Sequence, residues 1–104
     1  MKIEFSPAAD EDLTEIALFI AARNPARALS FVDELEARCK ALGASPGIGA
    51  SRPELGGGIR MLPFGRYLIF HRKVEKGLRI ERIMHSARDI KGDDFNADEA
   101  DAGD

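Results

Sequence analysis

Arg66-Tyr67-Leu68-Ile69-Phe70-His71-Arg72, followed shortly by Leu78-Arg79-Ile80-Glu81-Arg82-Ile83-Met84-His85, is the stretch that decides the fold. Both runs are rich in β-branched and aromatic residues, and the turn-forming Glu75-Lys76-Gly77 lies between them, so they predict two antiparallel strands. Pro63-Phe64-Gly65 is a second such link and places another strand over Ile59 to Leu62. The three runs form an antiparallel meander.

Upstream of the meander, residues 44–58 hold Pro46, Gly47, Gly49, Pro53 and Gly56-Gly57-Gly58, a loop composition. No Lys-Ser/Thr follows these glycines, so a phosphate-binding loop is not supported. Before the loop, Ser6-Pro7 and Asn24-Pro25 each supply a capping side chain and a first-turn proline, whose missing N–H would be unpaired there anyway. Two helices therefore start at these points. The first buries Leu13, Ile16, Ala17 and Ile20 and ends near Arg23. The second buries Ala28, Phe31, Val32, Leu35, Cys39 and Leu42, with Gly43 placed for a left-handed cap. So short a link makes the pair an antiparallel hairpin. Lys2-Ile3-Glu4-Phe5 alternates charged and apolar residues as a short first strand. The expected architecture is α+β, in the order β-α-α-β-β-β, with the helix hairpin on one face of a curved, mainly antiparallel sheet and the other face open.

At 104 residues the chain is one domain. It is 44% hydrophobic and 32% charged, which excludes collagen-like and wholly disordered classes. No apolar run approaches the ~20 residues of a membrane span, and the first residues show no signal-peptide pattern, so a cytoplasmic protein without membrane contact is expected. The single Cys39 permits no internal disulfide and by itself no zinc site. The net charge of −3 hides a segregation. Residues 1–91 carry all fifteen bases with twelve acids, while residues 92–104 carry six acids and no base. Residues 1–91 are accordingly read as the folded domain, and 92–104 as a disordered acidic tail with too little apolar mass to pack.

Residues 52–91 alone hold ten bases against four acids, the footprint of a nucleic-acid or acidic-protein partner. Arg60, Arg66, Arg72, Arg79, Arg82, Arg88 and His85 cluster there, and a row of guanidinium forks on an open sheet face would bind an anion. His85 could also exchange protons near neutral pH, and His71 reads as structural. No carboxylate pair of distinctive spacing, Cys/His set or Gly-x-Ser-x-Gly is present, so neither hydrolase nor metalloenzyme readings have support, and no metal or cofactor is expected. Tyr67, Phe70 and Phe5 lie within apolar alternation and read as core.

Gly65 to Arg72 followed by Gly77 to Ile90, with the ending Arg82-Ile83-Met84-His85-Ser86-Ala87-Arg88-Asp89, resembles the C-terminal half of the RelE/ParE toxins of bacterial type II toxin–antitoxin (plasmid stabilisation) systems. The opening Phe5-Ser6-Pro7-Ala8-Ala9-Asp10-Glu11-Asp12-Leu13 is similar to that family's start, so the resemblance covers residues 2–90. RelE-like members cut messenger RNA on the ribosome without metal, using basic residues and commonly a Tyr or His near the C-terminus. ParE-like members share the fold, lack that set and poison DNA gyrase. No Tyr follows the last strand here, and His-Ser-Ala-Arg-Asp matches the ParE-like ending. The resemblance thus implies a non-enzymatic gyrase poison that contacts its target through Arg60, Arg66, Arg72, Arg82, His85 and Arg88. The alternative is a ribosome-dependent endoribonuclease acting on messenger RNA, in which His85 and Arg82 would be catalytic. A third reading is a solitary interaction module without toxicity. The resemblance also implies a cognate antitoxin, ParD-like or similar, and Ala17, Ala21 and Ala28 on the hairpin are the expected contacts.

Overall fold

Both cap-and-proline signals form as expected. In the computed structural model, which describes residues 2–95, the Ser6 Oγ accepts from the Ala9 N–H (2.9 Å) and Asn24 Oδ1 accepts from the Arg27 N–H (3.0 Å). These caps open α1 (Pro7–Ala21) and α2 (Pro25–Ala41). The strands are β1 (Lys2–Phe5), β2 (Ala50–Ser51), β3 (Arg60–Phe64), β4 (Tyr67–Val74) and β5 (Gly77–His85). They form one open sheet in the order β1-β5-β4-β3-β2, in which β1 runs parallel to β5 and every other pair is antiparallel.

Several local readings are corrected. Pro63-Phe64 belongs to β3 rather than to the turn, which is the tight link Gly65-Arg66 closed by the Phe64–Tyr67 pair. Gly65 takes φ +58°, the left-handed backbone that a two-residue hairpin link favours. Proline is tolerated at position 63 because β2 pairs only with Arg60 and Met61, leaving that end of β3 at the sheet edge. The segment read wholly as loop contributes β2. Gly43 does not take a left-handed backbone; it lies in a 3-10 turn, Leu42–Ala44, that extends α2.

The helices and one sheet face enclose the larger core, where Phe31, Leu35, Cys39 and Leu42 meet Leu62, Ile69, Leu78, Ile80 and Ile83. Burial, aided by the nearby Glu36 charge, pushes the Cys39 thiol up from 9.0 to about 12, so the thiolate that reactivity requires is suppressed. The opposite face is not open. Leu55, Ile59, Phe70 and Met84 are buried there, with Ile90 and Phe95 packed against them. That smaller core also corrects the expected tail boundary, because Gly92–Phe95 forms a 3-10 turn and the Phe95 ring meets Phe70 edge-on at 5.1 Å. One aromatic residue provides the apolar mass that the acidic composition concealed. The rest of the expected tail, 96–104, lies outside the described residues.

A β-bulge interrupts β5. Phe70 pairs with Arg82 but His71 pairs with Ile80, so Glu81 is an extra residue with no partner across the ladder. Its carbonyl accepts instead from the Ser6 hydroxyl (2.7 Å), and the Ile80 carbonyl accepts from the Ser6 N–H (2.9 Å). The residue that starts α1 thus also repairs the bulge.

Candidate interface at the end of the sheet

The bulge redirects the basic residues. Arg82 grips the Asp12 carboxylate from α1 with two parallel bonds, Nε to Oδ2 (2.8 Å) and Nη2 to Oδ1 (2.9 Å). Asp12 Oδ2 also accepts from the Ile83 N–H (2.9 Å), and the Arg82 Nη1 donates to the Asp94 carbonyl (2.8 Å). The Arg82 side chain is only 15% exposed, so it works as a staple between α1, β5 and the C-terminal turn. Arg72 and Arg79, paired across the β4–β5 ladder, both meet the buried Glu81 carboxylate. Arg60 Nη1 donates to the Gly49 carbonyl (3.0 Å), beside the buried His71, whose Nε2–H donates to the Ile48 carbonyl (3.1 Å).

The expected row of arginines is therefore divided. Arg72 lies five residues along β4 from Tyr67, roughly 17 Å at ~3.3 Å per strand residue, away from the end where His85 sits. At that end the structure does assemble a surface. Tyr67 and His85 are direct partners across the strands, with ring centroids 5.3 Å apart in a T-shaped arrangement. Tyr67 leans in turn on Phe31 at 5.6 Å, which fixes the ring from the hairpin side. His85 Nδ1 accepts from the Ala87 N–H (3.0 Å), so the neutral ring carries its proton on Nε2 and presents a donor. The Ser86 N–H donates to the Arg66 carbonyl (2.8 Å) and the Arg88 N–H to the His85 carbonyl (3.0 Å), tying the segment after β5 to the β3–β4 turn.

Two adjoining depressions share Phe19, Tyr67 and His85. One, about 360 Å³, has Ile16, Ile83 and Met84 on its walls, with Glu15 and Arg88 also lining it. The other, about 480 Å³, adds Arg27, Phe31 and Arg66. Of the six expected target contacts, Arg66, His85 and Arg88 gather here, while Arg60, Arg72 and Arg82 are engaged elsewhere. No group of three His, Cys, Asp or Glu residues able to hold a metal is found among the described residues, and none of their helices is long and apolar enough to cross a membrane.

The expected hairpin contacts also separate. Ala17 and Ala21 are half-buried on α1, but Ala28 is only 5% exposed and belongs to the core, because α2 turns that face inward. Sequence periodicity missed the residues that do project: Leu18, Phe19 and Leu29 are 67%, 71% and 73% exposed. The available signal was the unbroken run Ile16 to Ala22, wider than one buried helix face requires.

Residues 3–90 match the family described as "ParE toxin of type II toxin-antitoxin system, parDE". The chain belongs to the ParE toxin family. Among solved structures, one from the "Chromosomal ParDE TA system from P. aeruginosa" is similar to this ParE-family chain at a TM-score of 0.70 and 27% identity. That similarity covers 82% of this chain and 95% of the other. No protein of curated function matches the chain. The ParE assignment makes the protein the toxin of a type II toxin–antitoxin system, and it accounts for the shared opening and the His-Ser-Ala-Arg-Asp ending.

Proposed function

We propose that this ParE-family toxin poisons DNA gyrase by binding, through Arg66, His85 and Arg88 at the end of the sheet, and that a ParD-like antitoxin neutralises it by covering the helix hairpin. The observation that carries the binding reading is the commitment of Arg82. An arginine that serves RNA cleavage must reach the reacting phosphate, but here its fork holds Asp12 and its remaining terminal nitrogen holds the Asp94 carbonyl. His85 is exposed and offers a hydrogen-bond donor next to two arginines, which suits recognition of a protein surface. The apolar hairpin projection suits an amphipathic antitoxin segment, because Leu18, Phe19 and Leu29 stay largely exposed among the described residues. A cytoplasmic location follows from a gyrase target.

The test uses purified toxin, gyrase and supercoiled DNA, with translating ribosomes as the parallel assay. The chain is expected to trap gyrase cleavage complexes and to leave messages intact. His85→Gln, which keeps a donor but cannot shuttle protons, should change potency by no more than about tenfold, the effect of a neutral hydrogen bond worth ~1 kcal/mol. Ribosome-dependent message cleavage that disappears in His85→Gln would replace this reading with the ribonuclease one, since a general acid or base contributes ~10²–10⁴ in rate.

A further inference from the structure

The turn Gly92–Phe95 lies just beyond the residues that match the family, which end at 90, yet it is tied to β4, β5 and Arg88 by three contacts. The Asp94 carbonyl accepts from Arg82 Nη1 (2.8 Å), and Asp94 Oδ1 accepts from Arg88 Nη2 (2.8 Å). Asp94 Oδ2 accepts from the Lys91 N–H (2.9 Å), which closes the turn on itself. The Phe95 ring packs against Phe70, which is 0% exposed in the folded chain. One short acidic-aromatic segment therefore engages one nitrogen of each of two guanidinium groups and packs on the second core at once.

We propose that Gly92–Phe95 is an internal competitor for the toxin's target, a strap that must release Arg88 before the target is fully engaged. The proposal rests on the reading of Arg88 as a target contact. The strap's own chemistry defines what it imitates: a carboxylate beside an aromatic side chain on a protein surface. A nucleic-acid phosphate would satisfy Arg88 but would offer nothing to the slot that Phe95 fills. The contacts are also of a strength that permits exchange. The Arg88 side chain is 48% exposed, so its pair with Asp94 is partly screened, and exposed ion pairs contribute little each. A strap docked for nine-tenths of the time would weaken apparent target affinity about tenfold, because only the undocked fraction binds.

The experiment measures the concentration of full-length toxin that half-maximally traps gyrase cleavage complexes, for the wild type and for Asp94→Asn, Phe95→Ala and Arg88→Ala. Melting curves confirm that each variant is folded. Asp94→Asn and Phe95→Ala should each lower the half-maximal concentration, by up to about tenfold, and Arg88→Ala should raise it. If Arg88→Ala raises it while the two strap variants leave it unchanged or raise it too, the strap merely positions Arg88 and the proposal fails by itself. If Arg88→Ala has no effect, the target-contact reading of Arg88 fails and takes the proposal with it. Having two strap variants guards against a packing defect, since Asp94→Asn keeps the Phe95 side chain and removes the charge with one of the two accepting oxygens.

Discussion

His71 shows how much one buried polar side chain can dictate. It is fully buried, its Nε2–H is satisfied by the Ile48 carbonyl, and its Nδ1 has no partner among the described residues. Burial holds its imidazole below the usual histidine range; the bond to Ile48 pulls the other way and the Arg60 charge adds to the lowering. The unfolded chain takes up this proton near pH 6.5, whereas the folded chain resists until lower pH. Between those two values the unfolded state binds more protons, so stability is full above about pH 6.5 and falls as the pH drops through that window. Melting temperature should therefore decline between pH 7.5 and 5.5. The decline should flatten in His71→Gln, whose amide can still donate to Ile48. An unaltered slope in that variant would assign the effect to another group. Neighbouring Gly49 is constrained for a related reason: at φ +103°, an added Cβ would sit 2.7 Å from the Met61 carbonyl oxygen and 3.6 Å from the His71 Nε2.

Among the elements, α1 and β5 depend on each other through Asp12. Its carboxylate joins the Arg82 fork to the Ile83 N–H just past the bulge, with only 8% of the side chain exposed. Asp12→Ala leaves a largely buried guanidinium and a backbone donor without that acceptor and should cost about 3–5 kcal/mol, read as a lower urea midpoint. Substitution with Asn should cost less, since its amide oxygen can still accept from Ile83. The helix starts were legible because a cap and a proline act over one turn of chain. In the sequence Asp12 is only one of three consecutive acids near the start of α1, because its partner lies 70 residues away. The bulge did leave a trace: Ile80 and Ile83 face the same core but are separated by two polar residues, one more than strand alternation allows. Alternation alone puts Arg82 on an open face, whereas in the structure it pairs with Phe70 on the face of the second core and its fork reaches Asp12 of α1. The second core leaves no periodic signal because β4 and β5 each give it a single buried residue and the rest come from the loop before β3.

Across the whole molecule, the helix hairpin projects Leu18, Phe19 and Leu29 while the sheet end bears Arg66, His85 and Arg88, and Phe19 lines the depressions where the two meet, so under the proposed function the antitoxin and target surfaces adjoin there. Phe19→Ala should weaken binding of the cognate antitoxin at least about thirtyfold by titration calorimetry, as an exposed aromatic anchor does when removed. Its stability should shift by no more than ~0.5 kcal/mol, because the side chain is 71% exposed. A change at the core position Ala28 would instead test folding. Large parts of this division were legible in the sequence, through the family's ending and the charge segregation, but which arginines remain available at the surface depended on the bulge. The strand order has a further consequence, in time rather than space. β1, made before the helix hairpin, pairs with β5, and Ser6 reaches across 75 positions to Glu81. A contact so distant along the chain pays its loop-closure entropy late, which slows folding. The helix hairpin can form while synthesis continues, at roughly 5–20 residues per second, but the sheet cannot close until residue 85 has emerged. Tyr67 and His85 meet only at that closure, so the nascent toxin displays its hairpin, the proposed antitoxin contact, before it acquires the surface proposed to do harm.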